Sequence, residues 1–230
     1  MFDIAFHHAT PHGVITGVHL PETPDPVPET ILAGLPPAES SLARSLNGFR
    51  QPQFVGGRIA LRRACEQLGV RPVAILTDDR GAPILPDGVA GSVSHKSNLA
   101  VGMASWDAHG TLGVDVEDYE PARLGIAEHV LVQEELDAIR DLPDARRWIA
   151  LLVRFSVKES VYKALDRHVR RYVGFHEAIV HPDLQGGAQV RLDLERGEGP
   201  FRVEARFEWL HGRLLTSARV RRADPAQPLF

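Results

Sequence analysis

Apolar residues recur with a helical period over one long stretch, roughly 144–168. At 100° per residue, Trp148, Leu152, Phe155, Glu159, Tyr162 and Lys163 fall on one side, which predicts a helix. Most of that stripe is apolar, so it faces an interior. It also carries a carboxylate and an ammonium, and buried charges need a partner, a metal or a charged ligand. A solvated Glu–Lys (i, i+4) pair is the simpler account of the two charges. Their place on the apolar stripe argues against it.

Ahead of this helix, residues 1–20 alternate loosely and read as a strand or two, followed by a Pro-rich surface loop over 21–28. Pro36-Pro37 opens a helix, with proline in its first turn. A second helix spans Gln53 to Leu68, with Phe54, Leu61, Cys65 and Leu68 on its apolar side and Gly69 as its stop. Arg58 and Arg62 share a face of it. Gly56-Gly57 inside a helix implies close approach of another backbone or a ligand. Val73 to Thr77 reads as a strand, and Asp79-Arg80-Gly81 as a turn. Leu99 to Ser105 is apolar without a deciding period. Thr111 to Glu117 reads as a buried strand, and Ala127 to Leu142 as a helix stopped by Pro143. Phe201 to Trp209 alternates strictly between apolar and charged, His211-Gly212 marks a hairpin, and Leu214 to Val220 returns. The chain therefore ends in antiparallel sheet.

Composition narrows the class. The chain has 230 residues, 43% hydrophobic and 24% charged, as expected for a globular protein of one large or two small domains. A net charge of −4 gives no global attraction for nucleic acid. The single cysteine, Cys65, fits a reducing compartment. No apolar run is long enough to span a membrane, and the first residues lack the pattern of a signal peptide. A cytoplasmic protein without nucleic-acid or membrane partners is expected. His7, His8, His12 and His19 lack acidic or cysteine companions at ligand spacing and read as surface residues.

Candidate chemistry gathers on a few positions. Asp115 and Glu117 are two apart on a strand and project from one face. Two such carboxylates repel unless a cation lies between them, and magnesium suits oxygen ligands of this kind. With Glu159 they make three acids. Arg58, Arg62, His95, Lys158 and Lys163 make a basic set. Metal-binding acids with phosphate-binding bases are the parts of a phosphoryl-transfer site. Ser94-His95 does not read as a nucleophile and its base, because adjacent strand residues point to opposite faces. A phosphate contact from both is better motivated.

These residues also resemble a family. Gly57-Arg58-Ile-Ala, Ser92-Val-Ser94-His95, Gly113-Val-Asp115-Val-Glu117 and Phe155-Ser-Val-Lys158-Glu159-Ser-Val-Tyr-Lys163 are similar to the ordered motifs of the 4′-phosphopantetheinyl transferases. The likeness is to the long, two-lobed class of the surfactin and enterobactin enzymes, over about residues 36–180. The resemblance implies two similar α+β lobes of antiparallel sheet and helices, about 1–110 and 111–230, related by a pseudo-twofold axis with coenzyme A between them. It implies magnesium on Asp115, Glu117 and Glu159, and attack by a carrier-protein serine on the β-phosphorus with release of 3′,5′-ADP. Glu159 is then the candidate base, and Lys163 and Lys158 stabilise developing phosphate charge. Arg50, Arg58, Arg62, Ser94 and His95 hold the 3′-phosphate and adenosine side. A monomer is implied, serving apo acyl or peptidyl carriers in fatty acid, polyketide, nonribosomal peptide or siderophore synthesis. Two other readings stand beside this one. A metal-dependent nuclease or phosphohydrolase commonly sets Glu and Lys two apart on a strand, whereas Glu159 and Lys163 are four apart on a helix. A binding module without catalysis would not need all three acids.

Overall fold

Two antiparallel sheets, each packed against one long helix, carry the two halves of the chain. The structure, a computed structural model, describes residues 1–223. The chain divides into two units, Met1–Ala108 and His109–Phe230. The expected second lobe runs to residue 230, and its last seven residues lie outside the described ones.

In the first unit, β1 (Ile4–Thr10) and β2 (Gly13–His19) form a hairpin, followed by α1 (Glu29–Leu32), α2 (Pro37–Ser45) and α3 (Arg50–Gln67). A second hairpin, β3 (Val89–Lys96) and β4 (Leu99–Trp106), completes a sheet of order β1-β2-β4-β3. The undecided apolar stretch from Leu99 is thus a strand. The α3 helix begins three residues before the predicted start, because Pro52 is tolerated in a first turn. The expected close approach at its glycines is present. A Cβ on Gly56 would lie 2.2 Å from Leu20 Cδ2, and one on Gly57 2.8 Å from Val93 Cγ1.

Val73 to Thr77 is not the predicted strand; Thr77 makes only an isolated bridge with Pro83. Side chains take the backbone groups that a neighbouring strand would otherwise satisfy. Glu39 accepts the Ile75 N–H at 2.5 Å, Arg58 Nε donates to the Ile75 carbonyl at 2.7 Å, and Arg62 Nη1 donates to the Pro72 carbonyl at 2.5 Å.

In the second unit, β5 (Thr111–Asp118) leads to α4 (Ala127–Val130), α5 (Gln133–Ile139) and α6 (Asp144–Val169). Then come β6 (Ala178–Pro182), β7 (Gly187–Leu192), β8 (Phe201–Leu210) and β9 (Arg213–Arg222), in sheet order β5-β9-β8-β7-β6. The single helix expected over 127–142 is two, because Leu131 and Val132 are extended and the Glu135 carboxylate caps the Val132 N–H. The α6 helix follows the predicted span, starting after Pro143 and ending at Arg170 in the left-handed region, φ 47°. The β8–β9 hairpin turns on His211 and Gly212, both at positive φ, as the sequence predicts.

Register sets what the helix meets. Asp115 pairs with Thr216 and Thr216 with Phe207; Glu117 pairs with Leu214 and Leu214 with Trp209. These rows line the sheet face against α6. The contact closes at Gly113, where a Cβ would fall 1.7 Å from the Ser160 carbonyl oxygen. Trp148, Leu152, Val157, Val161 and Leu165 pack the core of this unit. Among the described residues no helix is long and apolar enough to cross a membrane.

Candidate active site

The predicted acid pair lies on one face of β5, and α6 covers it. Asp115, 5% exposed, accepts hydrogen bonds from Ser156 Oγ at 2.8 Å and from Lys163 Nζ at 2.8 Å. Lys163 also donates to the Val114 carbonyl at 3.0 Å. Ser156, Glu159 and Lys163 share this side of α6, since steps of three and four residues stay on one face. The Thr216 hydroxyl donates to the Ser156 carbonyl at 2.9 Å and so ties β9 to the same point. Glu117 is 7% exposed, with Arg123 Nη2 3.7 Å from its Oε2.

Glu159 is half-buried, flanked on its helix by Phe155 and Tyr162. Burial pushes its carboxyl above the ordinary range; Asp115 pushes it further, Lys163 opposes, and Glu117 adds to the rise. Glu159 therefore feels the charge of both β5 acids. Phe175 packs against both flanking rings, with centroids 5.5 Å from Phe155 and 5.6 Å from Tyr162. The Tyr162 hydroxyl donates to the Gly174 carbonyl at 3.0 Å.

The donor chemistry fits a hard divalent cation: three carboxylates and no sulfur or imidazole. The side chains as they stand do not enclose one, since no three His, Cys, Asp or Glu among the described residues are grouped closely enough. Lys163 stands against Asp115, and Arg123 against Glu117, where a cation is called for.

Three of the expected phosphate contacts are placed elsewhere. Lys158 has no exposed surface, and its ammonium donates to the Val130 carbonyl at 2.8 Å, Glu135 Oε2 at 2.6 Å and the Phe175 carbonyl at 2.9 Å. All three of its donors are used inside the fold. One residue before Glu159, it points about 100° away from that face. Arg58 and Arg62 share a face of α3 as predicted, but that face turns inward. Arg58 is 4% exposed, lies 4.6 Å over the Phe54 ring, and is pushed down to about 10 by burial. Arg62 pairs with Glu39, which has no exposed surface. Both arginines hold the 72–76 segment described above.

The other expected residues lie in the first unit. Arg50 is exposed at the start of α3. Ser94 is buried and His95 exposed, on opposite sides near the end of β3 rather than in a loop. Sequence reasoning missed Ser156, Thr216 and Arg123. Ser156 had a signal, lying seven residues before Lys163 and hence on its face. Arg123, in an irregular segment, had none.

A carboxylate pair on a strand, with an acid and a lysine from one helix above it, is a donor set whose chemistry suits a cation and a charged substrate. The 4'-phosphopantetheinyl transferase N-terminal domain family matches residues 38–105, and the 4'-phosphopantetheinyl transferase superfamily matches residues 111–218. The chain is 34% identical over 187 residues to the 4'-phosphopantetheinyl transferase PptT of Mycobacterium tuberculosis, covering 77% of this chain and 81% of that protein. It is 32% identical over 169 residues to the 4'-phosphopantetheinyl transferase Npt of Nocardia iowensis, covering 73% of each. It is 34% identical over 146 residues to enterobactin synthase component D of Salmonella typhimurium, covering 60% and 57%. The chain belongs to the 4′-phosphopantetheinyl transferases.

Proposed function

We propose that this enzyme moves 4′-phosphopantetheine from coenzyme A to a serine of an apo acyl or peptidyl carrier protein, with magnesium, releasing 3′,5′-ADP. The observation that carries the reading is the junction of β5 and α6, which sets Asp115 2.8 Å from Lys163 and makes Glu159 electrostatically aware of both β5 acids. Magnesium held by Asp115, Glu117 and Glu159 would neutralise the pyrophosphate of coenzyme A.

The chain's own groups account for the rest. A serine hydroxyl is a weak nucleophile at neutral pH and needs a base. Glu159, on the face of α6 that covers the β5 acids, is the candidate to take the serine proton. The serine oxygen bonds to the β-phosphorus, the bond from that phosphorus to the bridging oxygen breaks, and 3′,5′-ADP leaves with the electron pair. Lys163 has 30% of its side chain exposed, enough to face a phosphate while it touches Asp115. In the first unit, the exposed Arg50 and His95 are the candidates for the 3′-phosphate and adenosine side.

Incubation of the protein with coenzyme A, magnesium and a panel of apo carriers from fatty acid, polyketide, nonribosomal peptide and siderophore synthesis tests the proposal. The expected result is a phosphopantetheine mass gain on the carrier serine, matched by 3′,5′-ADP and lost in EDTA. No mass gain on any carrier, or full transfer by Asp115→Ala in EDTA, overturns it.

A further inference from the structure

Trp209, near the end of β8, keeps 43% of its surface exposed, although its row of the sheet faces α6. Tyr119 packs edge-on against it, with ring centroids 6.1 Å apart. Tyr119 is anchored: its carbonyl accepts the indole N–H of Trp148 at 2.6 Å, and Trp148 is 1% exposed. The backbone under Tyr119 is therefore held by the core, and Trp209 beside its ring is open to solvent.

Its place matters more than its exposure. Trp209 pairs with Leu214, and Leu214 with Glu117, so Trp209 shares a cross-strand row with one of the site acids. Two strand spacings put it about 10 Å from Glu117 along that row. Tyr119 follows Glu117 by two residues. Arg123, with 47% of its side chain exposed, stands by Glu117 and adds positive charge beside the pair.

Resting on the transfer reading above, we propose that Trp209 and Tyr119 are the docking point for the carrier protein. A serine borne on a folded domain reaches the β5 acids only when that domain lies against the surface beside them. Aromatics and arginine are the residue types that dominate protein–protein interfaces. The matching partner surface offers an apolar side chain near its serine, with acidic residues facing Arg123. The pair thus selects the acceptor, not the donor, of the phosphopantetheine group.

Steady-state kinetics with each substrate varied in turn tests this. Trp209→Ala should raise the carrier KM about ten-fold while kcat and the coenzyme A KM stay as in the parent. Trp209→Phe should restore most of the loss. Trp106→Ala, removing an equally exposed tryptophan at the end of β4, should change none of the constants. An unchanged carrier KM in Trp209→Ala, or a coenzyme A KM that rises equally, overturns the docking proposal. A parent protein that transfers nothing overturns the transfer reading instead. If Trp209→Ala does not fold, amide exchange of the parent with apo carrier decides: slowed exchange over 117–123 and 207–211 supports docking, and protection only elsewhere overturns it.

Discussion

Lys158 Nζ lies 2.6 Å from Glu135 Oε2, and neither side chain has any exposed surface. The two tie α6 to α5. Glu135 also accepts the backbone N–H of Val180 at 2.8 Å, so the pair reaches β6 as well. The stretch that carries the family resemblance thus contains one lysine for the interior and one for the site.

Removing one member of such a pair strands a buried charge, at a cost of about 3–5 kcal/mol. Lys158→Met should lower the unfolding free energy by that amount in urea melts. Lys158→Met with Glu135→Leu should recover part of it. The remainder reflects the Val132 and Val180 N–H groups left without their acceptor and the Val130 and Phe175 carbonyls left without their donor. Coenzyme A affinity of the folded single variant should match the parent in calorimetry.

Arg58→Ala tests the revised role of the α3 arginines. It removes the donor to the Ile75 carbonyl and should cost about 1–3 kcal/mol of stability. A contact to the 3′-phosphate would weaken coenzyme A but not dephospho-coenzyme A. The buried placement predicts equal, small changes for both ligands in paired titrations.

Glu177 sets an acid limit on stability. It accepts bonds from Arg171 Nη1 at 2.9 Å and Nη2 at 2.6 Å, from the Gly174 N–H at 2.7 Å and from the Glu195 N–H at 2.9 Å. The Arg171 bonds, foremost, hold its carboxyl down at about 2, below the ordinary 4.5. A depressed acid contributes stability above its unfolded pKa and loses it as pH falls through the folded one. Melts from pH 6 down should therefore show a loss between about 4.5 and 2. Glu177→Gln should be less stable at pH 6, by on the order of 2 kcal/mol, and flatter below it.

Gly113→Ala probes the helix–strand contact beneath the acids. Its Cβ would meet backbone at Ser160, which cannot yield as a flexible side chain can. Overpacking costs about 1–3 kcal/mol when a core can adjust, and this site should exceed that range in thermal melts. Gly125, where a Cβ meets nothing within 4 Å, is the control.

The parts legible in sequence were those with a strong period. The α6 stripe, the β5 acids two apart and the alternation of β8 each carried its own signal, and each element formed where predicted. Val73 to Thr77 misled because its apolar run resembles a strand, while the groups that satisfy its backbone, Glu39, Arg58 and Arg62, lie on two helices. The arginines misled for the same reason: spacing shows that they share a face but not which way the face turns. Lys158 needed Glu135, twenty-three residues away, to explain it. Arg123 sits in a segment without regular period, where sequence offers no direction for a side chain.

The order of the second sheet has a consequence for synthesis. The first strand made, β5, has a single neighbour, and that neighbour is β9, the last. Asp118 and Arg213, paired across them, are 95 residues apart. At about 5–20 residues per second a ribosome needs roughly 5–20 s to cover that distance. Until then Asp115 and Glu117 belong to a strand with no ladder beside it, and Ser156 has no Thr216 to meet. The acids of the proposed site are among the first of this unit to be made and among the last to be put in place, so a nascent chain sets its carboxylate pair only when the closing strand arrives.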